Sequence, residues 1–206
     1  MQASTTNLEQ RPLRVGTVAH FLNNTLLPYF DLKKNRSIKT QIYGGFSYVV
    51  HQNVTRGHFD FGFIAWTEKP KAVRSIKIKK DPLAVVGLKT KFPALRKAKN
   101  MKDLEALPII WLPKLHRDPN IYFPLNKKSY VVQSYDNFKH LILNGYGIGE
   151  VQLDFFSKAE QRMLAHAPFP APRDGVHIYL IYREDAPPFI QEKIETIAAD
   201  MKAKFN

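Results

Sequence analysis

The sequence of 206 residues contains no cysteine. That excludes disulfide scaffolds, Cys-ligated zinc, thiol nucleophiles and thiol redox sensing. No apolar run approaches the ~20 residues a helix needs to cross a bilayer, so no membrane span is expected. Met1 to Arg11 is polar and has no apolar h-region of a secretory signal peptide, so a cytoplasmic location is expected. GxSxG, HExxH, P-loop and kinase patterns are all missing. Gly145, Gly147 and Gly149 do not open a βαβ unit after a strand, so they make no dinucleotide fingerprint. His20, His51, His58, His116, His140, His166 and His177 show no metal-ligand spacing. Neither a metal nor a cofactor is expected.

What is present is a globular composition with unevenly placed charge. Hydrophobic residues make up 44% of the chain, enough for a real core, and the length falls between one domain and two. Lys and Arg total 31 against 18 Asp and Glu, a net charge of +13. Twelve of the basic residues lie between Lys69 and Lys102, opposed only by Asp81, so the remainder of the chain is nearly neutral. Such a run is either a solvated face or a meeting place for an anionic partner. Phe92 is the one aromatic residue inside it, which speaks against stacking on single-stranded nucleic acid.

Periodicity outlines the elements. LRVGTV (Leu13 to Val18) is a short β-branched run bounded by polar residues, a buried strand. Leu22, Leu26 and Phe30 share one face of a helix from His20 to Lys34, with Pro28 kinking it or starting its regular part. SIKTQIY (Ser37 to Tyr43) alternates as a second strand, ended by Gly44 and Gly45. Phe46, Val49, Val50 and Val54 predict a helix that stops near Gly57, and FDFGFIA (Phe59 to Ala65) a third strand. This β-α-β-α-β alternation predicts an α/β fold with a parallel sheet and right-handed crossovers. Further strands are expected at Arg74 to Lys80, Pro82 to Leu88, Pro108 to Pro113, Ser129 to Ser134 and His177 to Tyr182. Ser134 is a good N-cap for a helix carrying Phe138, Leu141 and Ile142 and ended by Gly145. NGYGIG (Asn144 to Gly149) reads as a turn, and Pro188 to Phe205 as a final helix with a clean apolar stripe. No internal repeat is visible.

In open α/β sheets, ligands bind beyond the carboxyl ends of the strands, where helix N-termini present free N–H groups. Those ends carry Thr17, Ala19, His20 and Phe21 after the first strand, and Phe46 and Ser47 after the second. Trp66, followed by Thr67, stands after the third, and Ser134 and Tyr135 further along. Backbone donors, hydroxyls and aromatic walls together suit a pocket for a small, partly apolar anion. The bland alternative is that Ser47 and Ser134 only cap helices and that Trp66 only fills core.

The order of motifs resembles the effector-binding domain of LysR-type transcriptional regulators over Leu13 to Phe205. It is carried by LRVG, TLLPYF (Thr25 to Phe30), RGHFDFGFI (Arg56 to Ile64) and DPLAVVGLKTKFPAL (Asp81 to Leu95). MKDLEALPII (Met101 to Ile110), FKHLILNGYGIGEVQ (Phe138 to Gln152) and HIYLIYRED (His177 to Asp185) complete it. The resemblance implies two Rossmann-like lobes joined by a two-strand hinge, like the type 2 periplasmic binding proteins. Residues 13–88 and 179–206 would form lobe I, residues 89–178 lobe II, and residues 1–12 the end of a linker. It implies an effector in the cleft, antiparallel homodimers or tetramers meeting through His20 to Lys34 and Ser37 to Tyr43, and DNA contact through a winged helix-turn-helix that does not fit before Leu13. Two departures stand out. The family often has Ser or Thr in the turn after the first strand, where this chain has Val18, Ala19 and His20, with only Thr17 nearby. Without cysteine, the peroxide sensing of some members cannot operate.

A non-enzymatic, ligand-sensing regulatory domain is therefore expected, with a free-standing transporter solute-binding protein as the alternative. An enzyme on such a fold would need a convergent acid–base pair. Asp60 lies in a strand, and Glu150 and Asp154 show no pairing.

Overall fold

The computed structural model describes residues 11–66, 69–81, 83–112, 128–168 and 176–205. Thr67, Pro82, Pro113, His116 and residues 1–10, which entered the sequence reading, lie outside the described residues. The chain divides into two compact units, residues 1–81 with 176–206, and residues 82–175.

The first unit is built on β1 (Leu13–Val18), β2 (Thr40–Gly45), β3 (Phe61–Trp66), β4 (Arg74–Asp81) and β10 (Val176–Tyr182), in sheet order β2-β1-β3-β10-β4. β1 runs parallel to β2 and β3, as the β-α-β-α-β pattern predicts. β10 runs antiparallel to both β3 and β4, so the sheet is mixed rather than purely parallel. The period of two sorts the side chains. Val15, Phe61, Phe63, Ile178 and Leu180 turn to one face, under α6 (Pro188–Phe205), whose Ile190, Ile194, Ile197 and Met201 are buried there. Ile64, Tyr179 and Ile181 turn to the other, under Val50 and Val54 of α3 (Ser47–Thr55).

Glycines let α3 approach. Gly16 of β1 and Gly62 of β3 are register partners. A Cβ on Gly16 would meet Phe59 at 2.5 Å and Val50 Cγ1 at 2.8 Å, and a Cβ on Gly62 would also collide with Val50. The helix expected from His20 to Lys34 is broken into α1 (Ala19–Phe21), a π-helical turn (Leu22–Leu26) and α2 (Leu27–Asp31). Pro28 sits in the first turn of α2, directly after the π-helical turn. The irregularity is the wide turn ahead of it.

The second unit repeats this plan with β5 (Leu83–Leu88), β6 (Ile109–Trp111), β7 (Ser129–Val131), β8 (Ile148–Gln152) and β9 (Leu164–Pro168), in order β7-β6-β8-β5-β9. β6 is parallel to β7 and β8, while β5 is antiparallel to β8 and β9. Leu83–Leu88 is thus an inner strand of the second sheet. α4 (Tyr135–Leu143) buries Phe138 and Ile142 on one face with Val86, Ile110 and Val151. Val85, Ile109, Trp111 and Ile148 face the other way, with Leu95 and Leu104. A short α5 (Lys158–Met163) opens on a reciprocal capping box between Ser157 and Glu160. The run read as a turn at Asn144 to Gly149 turns over Asn144 to Tyr146, with φ of 72° at Gly145, and β8 starts at Ile148.

Candidate functional site

The parallel strands of the first unit end together. Thr17 and Val18 of β1 pair with Gly44 and Gly45 of β2, and Thr17 pairs with Phe63 of β3. Residues Thr17 to His20, Phe46, Ser47 and Trp66 therefore gather at one end of one sheet. Thr17 is fully buried, and its Oγ1 lies 3.3 Å from the Val18 carbonyl oxygen. Ala19 is half-buried and starts α1 directly after β1, and the next residue, His20, is buried at 4% exposure. Phe21 is core. Its ring lies 4.8 Å from that of Phe63 and 6.3 Å from that of Phe205.

Ser47 is not a cap. The N-cap of α3 is Phe46, in an extended conformation. The Ser47 hydroxyl donates to the Ala65 carbonyl oxygen at 3.0 Å and accepts from the Ala65 N–H at 3.1 Å. It ties the start of α3 to the end of β3. The first hydrogen bond inside the helix is Val50 N–H to Phe46 O, so the N–H groups of Ser47, Tyr48 and Val49 precede the helix's own ladder. Half-buried Phe46 stacks on Tyr48 at 6.3 Å. Trp66 packs on the α3 side of the sheet, its ring 5.8 Å from that of His51.

In the second unit, Ser134 does cap its helix, accepting from the Asn137 N–H at 3.1 Å. Tyr135 packs 5.3 Å from Phe155, and burial pushes its pKa up to about 12, so the phenol stays neutral. Both follow the carboxyl end of β7. The sequence reading weighed Glu150 only as an acid without a pair and missed Gln152, both at the corresponding end of β8. Glu150 and Gln152 are buried at 4% and 1% exposure, alternate positions on one strand face. Both amide atoms of Gln152 lack a hydrogen-bond partner among the described residues, and a buried polar group left so costs about 1–3 kcal/mol. Recognising β8 as a strand would have revealed this alternation.

Asp60 stands at the opposite, amino-terminal end of β3. Its carboxylate takes a forked pair from Arg11 at 2.5 and 2.7 Å, the Arg14 N–H at 2.8 Å and the Arg14 guanidinium at 3.5 Å. This is a clamp joining β1 to β3. Among the described residues, no group of three or more His, Asp and Glu could hold a metal, and no helix is long and apolar enough to cross a membrane.

Residues 6–202 match the family described as LysR substrate binding domain. The chain belongs to this family. The resemblance carried by the ordered motifs is thereby borne out. No curated protein sequence matches it. Among solved structures, this LysR domain is similar to the effector binding domain of a BenM variant, with TM-score 0.73, 18% identity, and coverage of 96% of this chain and 98% of that one. A variant of the OxyR2 regulatory domain from Vibrio vulnificus gives TM-score 0.75 and 14% identity over 94% of this chain and 96% of that one. Full-length CbnR complexed with its target DNA gives 0.69 and 15%, over 92% of this chain and 69% of that one. At such identities the likeness is one of fold, the type 2 periplasmic-binding-protein-like architecture. The BenM neighbour is an effector binding domain and the OxyR2 neighbour a regulatory domain.

Proposed function

We infer that this LysR domain senses a small organic anion, a carboxylate with an apolar part, and that binding alters the assembly of a DNA-bound regulator. The observation that carries the reading is the Ser47–Ala65 tie, which holds the first turn of α3 at the carboxyl ends of β1 and β3. N–H groups and a positive dipole end favour negative charge there. Thr17, Ala19, His20, Phe46, Ser47 and Trp66 contribute from the first unit. Ser134 and Tyr135 are the second unit's candidates for the same ligand. Such a protein needs no catalytic group, metal or cofactor. Family membership favours a cytoplasmic regulator over a transporter component, with DNA bound through the winged helix-turn-helix of the full-length protein. Exposed Leu27, Leu32 and Tyr43 support a homodimer or tetramer through α2 and β2. Light scattering at tens of micromolar that returned only the 23.7 kDa monomer would count against it.

A thermal-shift screen of metabolite carboxylates tests the ligand. A ligand at about a hundred times its dissociation constant stabilises by about 2.7 kcal/mol. In a protein of this size each kcal/mol moves the midpoint by about 2–4 °C, so a true effector raises it by about 5–10 °C. Stabilisation only by cations or neutral sugars refutes the anion.

A further inference from the structure

The basic run Lys69 to Lys102 is divided between the two units. Arg74, Lys77, Lys79 and Lys80 belong to β4, an edge strand of the first sheet, where charge blocks pairing with another chain. Lys89, Lys91, Arg96, Lys97, Lys99 and Lys102 belong to the second unit, and all six are exposed.

The segment carrying those six folds with a period of three. Pro93–Lys97 and Met101–Asp103 are 3₁₀ turns, in which side chains three apart eclipse. Phe92, Leu95 and Ala98, then Leu104 and Leu107, pack into the apolar cluster of Val85, Ile109 and Ile148. With that third of the residues turned in, the cations form an outer layer over one face of the sheet. Among the described residues none of the six is ion-paired. The nearest carboxylate along the chain, Asp103, is engaged by the backbone: its Oδ2 accepts the N–H groups of Lys99 at 2.7 Å and Asn100 at 3.2 Å. Like charges so crowded repel one another, and a polyanion relieves the repulsion.

We propose that this basic layer of the second unit lies against the phosphate backbone of duplex DNA. The proposal rests on the reading of the chain as part of a DNA-bound regulator. Five of the six groups are lysines, point charges suited to phosphates. Phe92 is turned into the core, so no ring in the segment offers a stacking platform. The contact is therefore sequence-independent and positions the domain along the duplex without reading bases. An acidic protein surface is the competing occupant. Protein interfaces are anchored by aromatic residues and arginine and are depleted in lysine, the reverse of this composition.

The test measures binding of the 206-residue chain to a labelled duplex of about 40 base pairs of arbitrary sequence, by fluorescence anisotropy between about 25 and 200 mM salt. Each phosphate neutralised contributes about −0.9 to the slope of log K against log salt, so three to six contacts give about −3 to −5. The variant K89Q/K91Q/R96Q/K97Q/K99Q/K102Q should bind at least about tenfold more weakly at about 50 mM salt, with the slope at least halved. The β4 variant R74Q/K77Q should stay within about threefold of wild type. Far-UV circular dichroism checks folding, and K97Q/K99Q/K102Q, expected to lose about half the slope, serves if the sixfold variant misfolds. No binding by wild type at the lowest salt, an unchanged sixfold variant, or an equal loss in the β4 variant overturns the proposal. So does polyglutamate binding the layer more tightly than the duplex. Carboxylate-induced melting shifts on the same variants separate the two readings. Shifts that persist while DNA binding ignores the layer sink this proposal alone. Absent shifts beside a layer-dependent slope sink the effector reading alone.

Discussion

Ser47→Ala separates a structural from a ligand-binding hydroxyl. A serine hydroxyl has one proton, and Ser47 donates it to the Ala65 carbonyl while accepting the Ala65 N–H. An arriving carboxylate has only acceptors, so it gains no hydrogen bond from this hydroxyl unless the tie to Ala65 breaks. It can still take the N–H groups at the start of α3. The substitution removes two hydrogen bonds and leaves a strand-end N–H and C=O without their partner. A full loss of buried partners costs about 1–3 kcal/mol, and since Ser47 is half-buried, water replaces part of it, leaving about 1–2 kcal/mol. That corresponds to a midpoint lowered by about 2–8 °C. Differential scanning fluorimetry with and without a stabilising carboxylate reads both quantities. The ligand-free midpoint should fall, and the ligand-induced shift should stay within about 2 °C of wild type. A variant that melts like wild type but loses the ligand shift would show that the hydroxyl serves the ligand and that the tie is incidental.

Gly62→Ala drives a methyl group into Val50 Cγ1 and to 3.2 Å from the Gly16 carbonyl oxygen. Overpacking of this kind costs about 1–3 kcal/mol, and Val50→Ala in the same background should recover part of it, so a strictly additive urea-unfolding cycle would refute the close approach of α3. At Asp60, burial works to raise the pKa, but the hydrogen bonds from Arg11 and the Arg14 N–H and the charges of both arginines outweigh it, holding the carboxyl below its ordinary value. Its contribution is present above the unfolded value of about 3.9 and is lost as pH falls through the folded one. Asp60→Asn should therefore cost about 1–3 kcal/mol near neutral pH, with the gap narrowing below about pH 4 in urea titrations; a gap independent of pH would refute the clamp.

The first unit was the more legible because its inner strands are runs rich in β-branched and aromatic residues and its last helix carries one apolar stripe. Phe61 and Phe63 alternate with Gly62 and Ile64, and Ile190, Ile194 and Ile197 keep helical spacing, so local pattern and tertiary role agree. The final helix, Pro188–Phe205, has the bounds its stripe predicts. The second sheet was harder to read. β8 is buried on both faces, and its sequence IGEVQ mixes glycine and polar residues with two apolar ones, so no period of two emerges. β9, LAHAP, lacks β-branched residues altogether. The shared strand order of the two sheets is equally invisible as a sequence repeat, because topology constrains which faces are apolar and not which residues supply them.

The candidate site divides in the same way. That Ser134 would cap a helix followed from a serine ahead of an apolar helical stripe, a local rule. The partner of Ser47 is eighteen residues away on β3, and no local rule reaches it. Phe21 looked like a pocket wall because it follows a strand end, yet α1 turns its phenyl ring into the core against Phe63 and Phe205. Charge shows the opposite failure. Counted along the sequence, Lys69 to Lys102 is one block. Folded, the chain passes from the first unit to the second within that block, at Asp81 and Pro82. An edge strand needs its lysines to stay unpaired with another chain, whereas a layer over an apolar cluster needs only that its charges face outward. The same composition therefore does two jobs. Neutralising β4 should raise the tendency to self-associate, neutralising the outer layer should not, and sedimentation of R74Q/K77Q beside the sixfold variant distinguishes the two.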